Sequence, residues 1–152
     1  MKSIQTEIII NASAENVWNT LIDFDKHPEW NPFIKKLTGE AKVGEKLRVE
    51  IHPPNQKPST FTPKVLTVEA QRHLCWRGTL FASFIMAGEH HYEIETIEPH
   101  KVRFKHYENF TGVLAGLVMK KMGEDTTKGF VAMNEAIKAR AETMRKGEYK
   151  AN

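Results

Sequence analysis

Two neighbouring strand-like runs carry the residues most able to do chemistry. From Met86 to Ile97 the side chains alternate, with Gly88, His90, Tyr92 and Ile94 on one side and Glu89, His91, Glu93 and Glu95 on the other. Three carboxylates mark the second side as solvated, so His90 and Tyr92 point inward. In the next run Val102, Phe104, His106, Glu108 and Phe110 share a face, against Arg103, Lys105, Tyr107 and Asn109. The same logic turns His106 and Glu108 toward the interior. A turn at Glu98-Pro99 makes the two runs antiparallel neighbours and sets His90 opposite residues 106–108. Burial raises the pKa of a carboxyl such as Glu108, and a nearby imidazolium lowers it. The pattern allows three roles: a polar anchor for a ligand head group, a proton-transfer pair, or two buried groups that satisfy each other's hydrogen bonds.

Other reactive patterns are missing. The sequence has no G-x-S-x-G, P-loop, dinucleotide fingerprint or HExxH. His90 and His91 are adjacent on a strand and point apart, so they do not chelate one metal. His27, His52, His73 and His100 fall in loops or at outward positions, and no metal or tightly bound cofactor is expected. The single Cys75 rules out an intramolecular disulfide and a Cys-based zinc site. It shares a strand face with His73 and Arg77, has no partner base placed by the sequence, and is expected to be inert.

The elements that must hold these residues follow from periodicity. Residues 4–10 alternate as a half-buried strand. Ser13 caps a helix with Glu15 in its first turn and Val17, Trp18, Leu21 and Ile22 as its apolar stripe. Pro28 and Pro32 break the chain after one more irregular turn. Strands are expected near 33–39, 46–52, 61–70, 73–82, 85–97 and 100–110, with Pro63 marking an edge or bulge. The period then changes to that of a helix. Phe130, Met133, Ile137, Ala141 and Met144 recur every three or four residues, which predicts a long amphipathic helix over 125–146 ending before Gly147. A curved antiparallel sheet with one long helix laid across it is an α+β fold.

The run Val17-Trp18-Asn-Thr-Leu21-Ile-Asp23-Phe24-Asp-Lys-His-Pro28-Glu29-Trp30-Asn31-Pro32-Phe33 resembles the START-like, helix-grip superfamily, in particular its polyketide cyclase/dehydrase and lipid-transport branch, often called SRPBCC. Leu74-Cys-Trp76-Arg77-Gly78, Gly88-Glu-His90-His-Tyr92-Glu-Ile94 and Glu108-Asn-Phe110-Thr-Gly112 look like the same branch, in the right order and spacing. The resemblance implies a seven-stranded antiparallel sheet gripping the C-terminal helix, two short helices between strands 1 and 2, and a deep apolar cavity. It implies one domain over residues 1–147, with 148–152 as a tail. It does not select a reaction, because the fold hosts carriers, receptors and cyclases alike.

Within that frame the candidate ligand contacts are Trp30, Trp76, His90, Tyr92, Phe104, His106, Glu108, Phe110 and Met133. Trp18 belongs to the helix stripe and the core. Phe110 to Met119 is apolar and nearly uncharged, carries Gly112 and Gly116 as hinges, and ends in Lys120-Lys121. Gly112, Leu114, Gly116 and Leu117 are therefore candidate lid residues, in a segment that could alternatively close the core or touch a partner or membrane surface.

Composition sets the outer limits. The 152 residues, 40% hydrophobic and 27% charged, fit one globular domain. The net charge of +3 is spread without blocks, so no nucleic-acid footprint is present. The longest nearly uncharged run is about half of the roughly 20 residues that a membrane-spanning helix needs, so no stable membrane insertion is expected. The start lacks the apolar stretch of a signal peptide, and the expected location is cytoplasmic. The leading expectation is a binder of a small hydrophobic or amphipathic ligand. The alternatives are a cyclase, dehydrase or hydrolase using the His–Glu pair, and an interaction module. Neither the ligand nor the oligomeric state follows from the sequence.

Overall fold

The computed structural model of the chain describes residues 2–80 and 82–144. Its elements run β1 (Lys2–Ile10), α1 (Ala14–Ile22), a 3-10 turn (Phe24–Lys26), α2 (His27–Trp30), β2 (Ile34–Thr38), β3 (Arg48–Ile51), β4 (Ser59–Phe61), β5 (Lys64–Glu69), β6 (His73–Leu80), β7 (Met86–Glu98), β8 (Lys101–Thr111) and α3 (Ala115–Thr143). Ser13 caps α1 as its residue type requires, its Oγ accepting from the Asn16 amide at 3.1 Å. The Pro28–Pro32 break is organised by His27. Its Nε2–H donates to the Leu21 carbonyl at 2.7 Å, and its Nδ1 accepts from Asn31 Nδ2 at 3.1 Å. Asn31 Oδ1 in turn accepts from the Phe33 and Ile34 amides, which launches β2.

Two departures from the expected fold have clear causes. The strands form a five-stranded sheet in the order β1-β8-β7-β6-β5 and a three-stranded sheet β2-β3-β4, not one seven-stranded sheet. The run 61–70 reads as one strand in the sequence, but Pro63 lacks an amide donor and divides it into β4 and β5 in different sheets. Backbone bonds still stitch the sheets at that corner, from Leu47 N to Pro63 O and from Val65 N to Glu45 O, each 2.8 Å. The long helix starts at Ala115, ten residues before the expected Asp125. Gly112, at φ +105°, makes the turn out of β8, and a Cβ there would lie 2.5 Å from the Ile85 carbonyl oxygen. Gly116 does not break the chain; it is simply helical. The expected helix end at 145–146, the tail 148–152 and position 81 of the expected fifth strand lie outside the described residues.

The second half of α3 packs on the main sheet. Phe130, Met133, Ile137 and Ala141 are fully buried against Ile10, Tyr92, Val102 and Phe104 in one core. Polar ties fix the crossing: Lys138 Nζ donates to the Ile9 carbonyl at 2.9 Å, and Glu142 Oε2 accepts from the Asn11 amide at 2.8 Å. Among the described residues no helix is long and apolar enough to cross a membrane.

Candidate functional site

The first half of α3 stands away from the sheet, and the space beneath it is a cavity of about 340 Å³. The main sheet supplies Trp76 and Gly78 from β6, Met86, Gly88 and His90 from β7, and Glu108 and Phe110 from β8. The small sheet supplies Ile34, Val49, Ile51 and Phe61, and the helix supplies Val118, Met122 and Thr126. The wall is overwhelmingly apolar. Among the described residues its ionisable groups are His90 and Glu108, whose side chains are 7% and 19% exposed.

The expected register holds: His90 and Glu108 are directly paired across β7 and β8. His90 Nδ1 lies 3.5 Å from Glu108 Oε1. Gly88 makes room for this carboxylate, since a Cβ at that position would collide with Glu108 Oε2.

Behind this pair runs a chain of hydrogen bonds whose direction follows from donor and acceptor chemistry. The His106 carbonyl can only accept, so the Thr6 hydroxyl donates to it at 2.6 Å. Thr6 Oγ1 then accepts from Asn134 Nδ2 at 2.9 Å, leaving Asn134 Oδ1 to accept from His106 Nδ1–H at 2.9 Å. Burial holds the His106 pKa well below 6.5, with the neighbouring His90 acting in the same direction, so the ring is neutral and its Nε2 carries a lone pair. His90 Nε2–H must therefore donate to His106 Nε2, 2.7 Å away. This leaves the lone pair of the His90 ring on Nδ1. It faces Glu108 and the cavity. Thr6 and Asn134 are absent from the sequence-derived candidates. The available signal was Asn134 itself, a polar side chain between Phe130 and Ile137 on the buried stripe of the helix and only 3% exposed.

The remaining candidates divide by position. Trp76, His90, Glu108 and Phe110 line the cavity. Tyr92, Phe104, His106 and Met133 are fully buried below it and do not. Phe130 makes the division: it stacks on His106 at 4.1 Å and meets Phe33 edge-on at 5.5 Å, closing the space that the strand phases alone leave open. Burial, with Glu108 adding to it, pushes the Tyr92 phenol well above its usual pKa, and its hydroxyl reaches Met133 Sδ at 3.9 Å. Trp30 packs against the His27 ring at 4.7 Å and is not on the cavity wall. The candidate lid residues border the cavity without lining it. The Val113 and Leu114 amides bond to the Phe84 and Ile85 carbonyls at 3.1 and 3.0 Å, Leu117 is 63% exposed, and Gly116 lies on the outer side of the first helical turn. The Cys75 thiol is pushed up to about 12 by burial, with Glu89 adding to the shift, so it is not a nucleophile.

The architecture recurs in solved structures. The Zhui aromatase/cyclase from Streptomyces sp. R1128 superposes with a TM-score of 0.76 at 16% identity, covering 94% of each chain. Norcoclaurine synthase from Thalictrum flavum gives 0.69 at 18% identity over 92% of this chain and 93% of that one. A START superfamily protein from Mycobacterium smegmatis gives 0.70 at 19% identity over 93% and 98%. At these identities the likeness is one of fold. No curated protein sequence matches the chain. The family model described as polyketide cyclase / dehydrase and lipid transport matches residues 1–142, nearly the whole described chain. With the sheet, the gripped helix and the cavity between them in place, the chain belongs to the polyketide cyclase/dehydrase and lipid-transport family.

Proposed function

We propose that the protein binds a small, mainly apolar ligand with one polar end, held in the cavity so that the polar end meets His90 and Glu108. The observation that carries this reading is the single imidazole–carboxylate pair in an otherwise apolar wall. Apolar burial contributes about 25 cal/mol per Å² and is indifferent to orientation, whereas one polar imidazole–carboxyl pair in an apolar wall fixes which end of the ligand enters first. Wild type and Glu108→Gln, screened against fatty acids, sterols and aromatic polyketides by Trp76 fluorescence and calorimetry, test it. Binding to wild type should weaken by about 1–3 kcal/mol in the variant. Equal affinity in both proteins removes Glu108 from the binding site.

A second reading has its own support in the fixed hydrogen-bond direction behind His90. A ring whose Nε2 proton is committed to His106 presents Nδ1 as a defined acid/base position beside Glu108, as an enzyme acting on a carbonyl substrate requires. In that case Glu108→Gln lowers turnover by about 10²–10⁴-fold and leaves binding nearly unchanged.

A further inference from the structure

The face of the main sheet opposite the cavity holds a second cluster of reactive side chains. Cys75 on β6 is paired directly with His91 on β7, and Glu89 lies two residues before His91 on the same face. Their potential donor atoms converge. Cys75 Sγ is 3.6 Å from His91 Nε2, Glu89 Oε1 is 3.5 Å from the same nitrogen, and all three lie within 4.8 Å of one another. With the usual zinc–ligand bond lengths, a tetrahedral ion separates sulfur from nitrogen by about 3.5 Å and nitrogen from oxygen by about 3.4 Å. Two of the three separations already match. The third closes by a swing of Glu89, whose side chain is 37% exposed and whose other carboxylate oxygen is held by Arg77 Nη1 at 3.3 Å, a contact the swing must loosen.

A further contact shapes the cluster. His73 Nε2 is 2.9 Å from His91 Nδ1, so His91 Nδ1–H donating to His73 turns the Nε2 lone pair toward Cys75 and Glu89. His73 Nδ1 in turn lies 3.7 Å from Glu69 Oε1, beyond hydrogen-bond length but within electrostatic reach. Tyr107 stacks on the His91 ring at 4.6 Å and 6°, which limits its rotation. Reading along a single strand misses this set because its members come from two strands.

Against the sequence expectation that one cysteine supports no zinc site, we propose that Cys75, Glu89 and His91 form a three-ligand site for zinc or a similar divalent cation, with His73 orienting His91 and the fourth coordination position open to water. A thiolate, an imidazole and a carboxylate together suit zinc better than the hard cations magnesium and calcium. Coordination replaces the Cys75 thiol proton with the metal–sulfur bond, and that proton leaves to solvent.

Cobalt(II) titration of the reduced full-length chain tests this directly, because cobalt in such a site gives a thiolate charge-transfer band and intense visible bands. One cobalt per chain, displaced by zinc, is the expected result. Cys75→Ala should abolish the charge-transfer band, Glu89→Gln and His91→Gln should each weaken binding tenfold or more, and His73→Ala should weaken it by about 10–100-fold. Circular dichroism confirms that each variant is folded, and the wild-type spectrum stands independently of them. No charge-transfer band with wild type at millimolar cobalt overturns the proposal. A band whose affinity is unchanged in both Glu89→Gln and His91→Gln overturns it equally, because the thiol would then be binding alone.

Discussion

Replacing Asn134 by leucine probes the hydrogen-bond chain behind the cavity, since the side chain keeps roughly its size and loses both polar ends. In the wild type Asn134 accepts from His106 Nδ1–H and donates to Thr6. The Asn134→Leu change leaves the His106 Nδ1–H, in a fully buried residue, without its acceptor. An unsatisfied buried donor costs about 1–3 kcal/mol, partly offset by the added apolar burial. Thr6 keeps its bond to the His106 carbonyl and adds little. A net loss of about 2 kcal/mol corresponds to roughly 4–8 °C in Tm for a chain of this length. The more specific effect is on tautomers. Freed of Asn134, His106 can move its proton to Nε2 and donate to His90, which reverses the chain and places the His90 proton on Nδ1 toward Glu108. Long-range proton–nitrogen NMR reads this directly: wild type should show His106 protonated at Nδ1 and His90 at Nε2, and the variant should show the reverse. Wild-type His106 protonated at Nε2, or a variant with unchanged tautomers, refutes the directional argument.

Acid should destabilise the fold through His27. Burial lowers its pKa from 6.5 to about 4, so between those values the unfolded chain binds more protons than the folded one. The stability concerned is fully present above pH 6.5 and is lost as pH falls toward 4, by about 3 kcal/mol in all. His106, also depressed by burial, adds in the same direction. Urea denaturation from pH 7 to about pH 4 should show this slope, and a His27→Gln variant with an undiminished slope would refute the assignment. For the candidate lid, hydrogen exchange across residues 110–123 should be faster than in β7 and β8 and should slow when the cavity is filled. Exchange there as slow as in the sheet would make the segment a fixed part of the core.

The parts of the fold that are legible in the sequence are those set by local chemistry. Alternation in β7 and β8, with a proline turn between them, is enough to set His90 opposite residues 106–108, and the partner in the ladder is Glu108. Ser13 announces α1 by its hydroxyl. The start of α3 is less visible, because Phe110 to Met119 has no amphipathic contrast and its glycines read as hinges; Ala115 onward nevertheless contains good helix formers, and of the two glycines in that stretch Gly112 alone has a positive φ. The small sheet is hidden because one proline reassigns β4, a long-range effect. The inward phases of Tyr92, Phe104 and Met133 are correct, but phase cannot say which inward positions meet a cavity and which meet Phe130. Asn134 stands out as a polar residue on an apolar stripe, but its role depends on partners 28 and 128 residues away.

The position of Phe130 bears on how such a protein can diversify. Its ring separates the cavity, where Phe33, Trp76 and His90 present their surfaces, from the closed packing of Phe104, Met133 and Ile137. Trp76 and His90 still touch Tyr92 below it, at 5.4 and 4.7 Å between ring centroids, so changes there couple to the core, whereas changes at positions without shared partners combine almost additively. Phe61, 43% exposed at the cavity rim, can therefore change size and reshape what the cavity accepts at little cost to stability, whereas Val49 is buried in the core. At that rim, and not deeper in the wall, selectivity can change while robustness is kept.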